Sequence, residues 1–374
     1  MAPDARRPRT LLHLVASPFL GGPERQMIGL SLAQRGSERV VFLGFPEGAD
    51  FHARLRKEGI ESHLLATTGR PLRGAIREVE DWFRRIGPDV VITHGYKPDL
   101  IGLFAARRAR IPQVAVAHGW TGASARVRVN EAIDKLAMRG ARRVVAVSAR
   151  QGRRVEEAGI RPGRVVVIRN AIDPSRFGAR DPEVRRELEA LFPSPPDRVV
   201  IAAGRLSPEK GFDDLVRAAR LVVDRLPGTG FVLVGDGPLR APLEEAIRAA
   251  GLESRFALAG FRDDLDRLMP SADAFVQSSH TEGMPNVVLE AGACGLPIVA
   301  TAVGGTGEVV EEGRGARLVP PRRPDELARE LVDVLSHPAA AAAMGAAARQ
   351  RVVSEFTFAA KAAAYRHMLE ECLP

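Results

Sequence analysis

The sequence predicts an α/β protein built from two doubly wound, parallel-sheet domains. Three observations carry that expectation. Short apolar runs alternate with longer amphipathic stretches, and this alternation restarts once after a proline-rich break. Its 374 residues also suffice for two domains at roughly 150 residues each.

In the first half, strands are expected at Leu11–Ala16, Val40–Phe45, Ser62–Ala66, Val90–Thr93, Gln113–Ala117, Arg143–Val147 and Val165–Ile168. Stretches with helical spacing lie between them: Glu24–Gln34, Leu72–Ile86, Asp99–Arg110 and Arg126–Met138. Near-continuous Val, Ile, Ala and Leu in the strands imply burial on both faces, the mark of a parallel sheet covered by crossover helices. The second half repeats the pattern, with strands at Val199–Ala203, Phe231–Val234, Arg255–Ala259, Ala274–Gln277 and Ile298–Ala300. Its helices fall at Asp213–Arg225, Leu239–Ala250, Leu265–Met269 and Pro285–Ala293. Between the halves, Pro174, Pro182, Pro193, Pro195 and Pro196 mark a boundary. The expected division is therefore a first domain over 1–173, a linker over 174–197, a second domain over 198–355 and a closing segment over 356–374.

Composition narrows the function classes. At 45% hydrophobic and 27% charged, the chain is globular, and no apolar run approaches the roughly 18 residues of a membrane span. His13, Ser17 and Pro18 interrupt the first apolar stretch, which argues against a secretory signal. Cys294 and Cys372 build neither a disulfide framework nor a zinc site, in keeping with a cytoplasmic location. Residues 1–170 hold 30 Lys and Arg against 16 Asp and Glu, whereas 171–374 hold 24 against 30. A basic first half suits an anionic acceptor or peripheral contact with the inner face of a membrane. Arg70, Arg73, Arg77, Trp82, Arg84 and Arg85 form one such cluster, and Arg107, Arg108 and Arg110 another. With two Trp and two Tyr, platforms for stacking bases are scarce, so no nucleic-acid partner is expected.

Ligands of open parallel sheets bind beyond the carboxyl ends of the strands, so residues placed there are the candidates. After the first strand, Gly21-Gly22-Pro23 opens a helix, where backbone N–H groups attract anions. A plain strand-to-helix turn has the same look. Neither a dinucleotide fingerprint nor a phosphate loop with Gly-Lys-Ser/Thr occurs, so dehydrogenase and ATPase readings lose their main support. His94 and His118 each end a strand and are followed by glycine, an edge from which imidazole can donate to a substrate oxygen. Tyr96, Lys97 and Trp120 follow them as candidate acceptor contacts.

The second half opens with Gly204-Arg205-Leu-Ser-Pro-Glu-Lys210-Gly211. Two cations near a helix start suit a diphosphate, although a solvated turn would read alike. Further on, Glu282-Gly283-Met284-Pro285-Asn286-Val287 leads to Glu290. A helix is expected from near Gly283 to Cys294, its free N–H groups forming an anion site beside Glu282. On that helix Glu282 and Glu290 would stand about 12 Å apart along the axis, too far for a glycosidase pair and suited to the two ends of a long ligand. Asp263-Asp-Leu-Asp266 contains an Asp-x-Asp and is a weak metal candidate, since Asp before a helix is also a natural cap.

Together these motifs resemble the family-4 retaining glycosyltransferases of the GT-B fold, and the resemblance spans nearly the whole chain. Gly21-Gly22-Pro-Glu is similar to that family's N-terminal glycine loop, and Arg169-Asn170-Ala-Ile-Asp173 to its Asn-Gly-Val-Asp segment, with Ala171 replacing the usual Gly. Gly204–Gly211, Gly235-Asp-Gly-Pro238, Glu282-x7-Glu290, Gly295-Leu-Pro-Ile-Val-Ala and Val303-Gly-Gly305 complete the ordered set. The resemblance implies two Rossmann-like domains facing a cleft, the first on the acceptor side and the second holding the donor, with a final helix crossing back to the first. It implies transfer from a nucleotide-diphosphate sugar, a UDP-sugar or GDP-mannose, without cofactor or metal. Arg205 and Lys210 would hold the diphosphate with backbone at Gly22 and Gly283–Val287. Glu282 would bind the donor sugar and Glu290 the ribose. His118 would face the reacting sugar, and the base would lie near Phe261 and Arg262. Two other readings fit the same architecture: an epimerase or phosphorylase, and a non-catalytic nucleotide-sugar binder.

Overall fold

In the computed structural model of the chain, residues 7–17, 20–122 and 124–373 are described. Pro18 and Phe19, which begin the first glycine loop, lie outside the described residues. The chain divides into two compact units, one comprising 1–171 with 358–374 and the other 172–357.

Seven parallel strands form the first sheet: β1 (Arg9–Val15), β2 (Glu38–Gly44), β3 (Glu61–Leu64), β4 (Val90–His94), β5 (Gln113–Ala117), β6 (Arg143–Ala146) and β7 (Val165–Val167). Their order is β3-β2-β1-β4-β5-β6-β7, so the winding reverses between β1 and β4. Side chains of β1 and β4 are wholly apolar at Leu11, Leu12, Leu14, Val90, Val91 and Ile92, each fully buried, as strands covered on both faces require. On one face Leu12, Leu14, Val41 and Val91 meet Ile76, Val79 and Phe83 of helix Leu72–Ile86. On the other, Val15 and Phe42 meet Met27 of helix Gly22–Ala33 and Phe51 of helix Ala49–Lys57. The closing helix Phe358–Cys372 also belongs to this unit. Phe358 sits against Gly29, where any Cβ would lie 2.1 Å from the ring.

The second sheet has six parallel strands: β8 (Arg198–Ala203), β9 (Thr229–Val234), β10 (Phe256–Gly260), β11 (Ala274–Gln277), β12 (Ile298–Thr301) and β13 (Arg317–Val319). Their order, β10-β9-β8-β11-β12-β13, reverses between β8 and β11. Its core joins Val200, Phe231 and Val276 to Leu215, Ala219 and Val222 of helix Phe212–Arg225 and Leu331 of helix Pro324–Ser336.

Several sequence expectations need correction. Residues 174–197, read as a linker, fold onto the second unit: Arg185, on helix Pro182–Glu189, is bonded to Asp273 (2.5 Å) and Glu189 (2.6 Å). Pro174 and Pro182 stand at the first positions of the short helices Pro174–Arg176 and Pro182–Glu189, which Asp173 and Asp181 cap. Helices Ala49–Lys57 and Ala149–Glu157 and strand β13 were not foreseen. The two helices are strongly polar, and the strand is a three-residue edge, so none presents a long apolar pattern. The expected helix over Gly283–Cys294 begins only at Asn286. Met284 precedes a proline and is thereby biased away from helical backbone, and Pro285 itself is extended (ψ 112°).

Candidate active site

In the second unit the loop after β8 carries Gly204, Arg205 and Lys210. Leu206 anchors it: its side chain is fully buried, its N–H donates to the Asp236 carbonyl (3.0 Å), and its carbonyl accepts the Leu239 N–H (3.0 Å). The loops after β8 and β9 thus interlock. Gly235 makes this possible, because at φ +145° a Cβ would fall 1.9 Å from the Gly204 carbonyl oxygen. Arg205 is exposed, and Lys210 is half-buried at the end of the turn Pro208–Lys210.

Lys210 Nζ donates to Glu282 Oε1 at 2.7 Å, with the two side chains 21% and 10% exposed. Ser279 Oγ (2.7 Å) and Gln277 Nε2 (3.3 Å) donate to the same oxygen. Behind them, Thr301 Oγ1 donates to the Ser279 carbonyl (2.6 Å) and Thr306 Oγ1 to Gln277 Oε1 (3.2 Å). Among the described residues no donor reaches Glu282 Oε2. One carboxylate oxygen is therefore fixed by three donors, and the other is left to accept from a ligand. Gly304 closes the loop over this group: at φ +54° a Cβ would lie 2.2 Å from the Glu282 carbonyl, and the Gly305 N–H donates to Gly283 (2.8 Å). His280 Nε2 lies 2.7 Å from Asp214 Oδ2, joining the Glu282 loop to helix Phe212–Arg225.

Asn286 and Val287 open the nine-residue helix Asn286–Cys294, and Glu290 lies on it, half-buried between buried Leu289 and Ala291. Gly283, Met284 and Pro285 precede it, so helical rise does not fix the separation of Glu282 and Glu290. Phe261, just after β10, is 64% exposed. Arg262 is committed to Asp264 (2.8 Å) and Glu187 (2.8 Å), which leaves its backbone rather than its guanidinium for a ligand. The hydrogen bond from Arg262, and then that from Arg267, holds the Asp264 carboxyl below its usual range. Asp266 accepts from Arg176 (2.7 Å). Both carboxylates of the metal candidate are thus occupied by guanidinium groups. Asp213, Asp214 and His280 also bring ligand atoms within 4.8 Å of one another, but Arg217 already pairs with both aspartates.

In the first unit Glu24 reaches back from helix Gly22–Ala33, accepting from the Gly21 N–H (2.8 Å) and Ser17 Oγ (2.5 Å). This capping box takes up the Gly21 N–H, so Gly21 shapes the loop while Gly22 starts the helix. His94 ends β4, and His118 follows β5; His94 Nδ1 lies 3.0 Å from His118 Nε2. Burial lowers the His118 pKa to about 4, and the positive charge of Lys361 adds to the effect. Lys361 is itself buried, donates to Gln26 Oε1 (2.8 Å), and is lowered by burial to about 7.

The expected acceptor contacts divide. Tyr96 is 39% exposed. Lys97 is bound to Glu47 (2.5 Å) and lies over the Phe45 ring. Trp120 does not face a ligand: it is 5% exposed, packs in a core cluster with Met138 and Val155, and donates its indole N–H to Asp134 (2.9 Å). An aromatic ring at a strand end buries more apolar area inward, which sequence position alone does not reveal. Ser279, Gln277, His280, His13 and Lys361 were not singled out in the sequence. Ser279 and His280 were at least visible, flanking Glu282 in one motif.

Comparison with known proteins places this geometry. The family described as Glycosyltransferase Family 4 matches residues 20–176, and that described as Glycosyl transferases group 1 matches 185–351. The chain is 32% identical over 230 residues to the 2-deoxystreptamine glucosyltransferase of Streptomyces kanamyceticus, covering 60% of this chain and 59% of that protein. It thus spans about three fifths of that relative's length. To the 2-deoxystreptamine N-acetyl-D-glucosaminyltransferase of Streptomyces fradiae it is 30% identical over 341 residues, covering 80% and 79%. Anabaena HepE in complex with UDP-glucose superposes with a TM-score of 0.85 at 25% identity, over 97% of this chain and 99% of that one. With both halves matched and the fold shared end to end, the chain belongs to the family-4 glycosyltransferases of the GT-B fold.

Proposed function

We propose that the protein is a retaining glycosyltransferase, moving a sugar from a nucleotide-diphosphate sugar to a sugar or anionic lipid-linked acceptor without a metal. The observation that carries this reading is the Lys210–Glu282 pair, with one carboxylate oxygen fixed and the other open. UDP-sugar is the favoured donor, since HepE is similar over nearly its whole length and binds UDP-glucose. Arg205 and Lys210 neutralise the diphosphate, helped by the first-turn N–H groups at Asn286 and Val287. Glu282 Oε2 accepts from a sugar hydroxyl, and Glu290 accepts from the ribose.

Departure of the diphosphate builds negative charge on its bridging oxygen, and stabilising that charge is the main catalytic demand. Attack on the same face as departure preserves the anomeric configuration, and the leaving oxygen accepts the acceptor's proton. Lys210 serves this charge while Glu282 holds its ammonium in place. The guanidinium pairing of Asp264 and Asp266 supports a metal-independent reaction. His118, a neutral imidazole, serves as a hydrogen-bonding group toward the reacting sugar. Isothermal titration with UDP, GDP and ADP tests the reading. UDP is expected to bind most tightly; preference for GDP would redirect the donor to GDP-mannose, and no binding by any of the three would remove the proposal.

A further inference from the structure

Three histidines of the first unit stand in single file. His13 Nδ1 lies 3.0 Å from His94 Nε2, and His94 Nδ1 lies 3.0 Å from His118 Nε2. The histidine rings meet edge to edge and nearly coplanar, with centroids 5.2 and 5.3 Å apart, and Phe42 closes the inner end with its ring centroid 4.8 Å from that of His13. The parallel register generates the file. Val15 pairs with His94, and His94 with Val116. His13 lies two residues before Val15 and His118 two after Val116, so all three side chains share one face and step diagonally across β1, β4 and β5.

A neutral imidazole has one N–H and one lone pair, so a file bonded through both nitrogens runs in one direction only. The inner end selects that direction. His13 Nε2 is buried and has no hydrogen-bond partner among the described residues. A proton there would be an orphaned buried donor, which is rarer and costlier than a bare lone pair. His13 therefore carries its proton on Nδ1 and donates to His94 Nε2. His94 must then carry its own on Nδ1 and donate to His118 Nε2, which leaves the His118 proton on Nδ1. Burial and the positive charge of Lys361 lower all three, and His94 is lowered further by its two histidine neighbours, so an imidazolium does not form to break the order.

We propose that His13 and His94 are positioning residues that set His118 as a neutral imidazole donating from Nδ1 to a substrate oxygen. The substrate-facing half of this inference rests on the function proposed above; the tautomer does not.

Nitrogen NMR of the full chain, labelled with ¹⁵N at its eight histidines, tests it, with resonances assigned through single substitutions. At pH 7 His118 is expected as a single neutral form protonated on Nδ1. In His13→Phe, which keeps an aromatic ring there and removes the donor, His118 should become a mixture of both neutral tautomers. His13→Asn, whose amide nitrogen can stand where Nδ1 stood, should restore the wild-type pattern. A His118 protonated on Nε2 or on both nitrogens in the wild-type protein would overturn the proposal without recourse to any variant. So would an unchanged His118 signature in a His13→Phe protein that melts near wild type. Failure of the wild type to bind UDP in calorimetry strikes the function and leaves the tautomer result standing.

Discussion

His13 is buried and His94 and His118 are half-buried in the first unit, with no salt-bridge partner among the described residues, while in the second unit Arg262 and Arg267 clasp Asp264 and Glu187. In the first unit burial moves each group toward its neutral form: the histidines and Lys361 downward, and Asp99 upward with help from Asp134. In the second, hydrogen bonds between opposite charges do the reverse, lowering Asp264 and Glu187 and raising Arg262 and Arg267. Titratable groups are therefore handled in opposite ways in the two units. On the function proposed above, the unit that would neutralise a diphosphate keeps this cluster charged, and the histidine file that would offer hydrogen bonds to uncharged hydroxyls stays neutral.

The largest test of this contrast lies in the second unit. Lys210→Ala or Arg205→Ala should lower turnover on the order of 10²–10³, the usual cost of losing one donor to transition-state charge, with the fold intact by circular dichroism. Wild-type turnover by either variant would erase the role given to charge there.

A smaller effect is expected from the first unit, and it depends on pH. In the unfolded chain histidine binds a proton below about 6.5, whereas in the folded chain His13 does so near 3 and His118 near 4. The unfolded state thus binds more protons through this window. The histidines' contribution to stability is complete above pH 6.5 and is lost as pH falls toward 4, at no more than about 1.4 kcal/mol per pH unit for each. Urea midpoints at pH 7 and pH 5 read this directly. His13→Phe should flatten the dependence, and equal slopes in the two proteins would contradict the assignment.

The smallest effect concerns the surface. Arg73, Arg77, Arg84, Arg85, Arg107 and Arg108 are exposed on helices Leu72–Ile86 and Tyr96–Ala109. If the basic first half meets an anionic surface, each cation near it contributes roughly 1 kcal/mol, falling with salt. The protein should then sediment with anionic vesicles at low salt and be released at high salt. Absence of binding at low salt would confine the basic character to solubility.

Legibility in the sequence followed the range of the interaction. Lys210 and Glu282 stood in recognisable motifs, yet nothing local announced that Ser279 and Gln277 share Glu282 Oε1 with Lys210. Trp120 misled, because a ring at a strand end was read as facing outward when it packs inward on Asp134 and Met138. His13 registers in the sequence only as a polar interruption of an apolar strand, with nothing to link it to His94 or His118.

The sequence by itself determined two parallel α/β sheets and their order of elements, because apolar periodicity, glycine at turns and proline at breaks act over a few residues. It also determined which loops carry the cations and carboxylates. Only the tertiary structure decided which oxygen of Glu282 is held and that His13, His94 and His118 form one file. Those facts depend on strand register and on contacts between residues up to 81 positions apart, such as His13 and His94, and no local pattern encodes them.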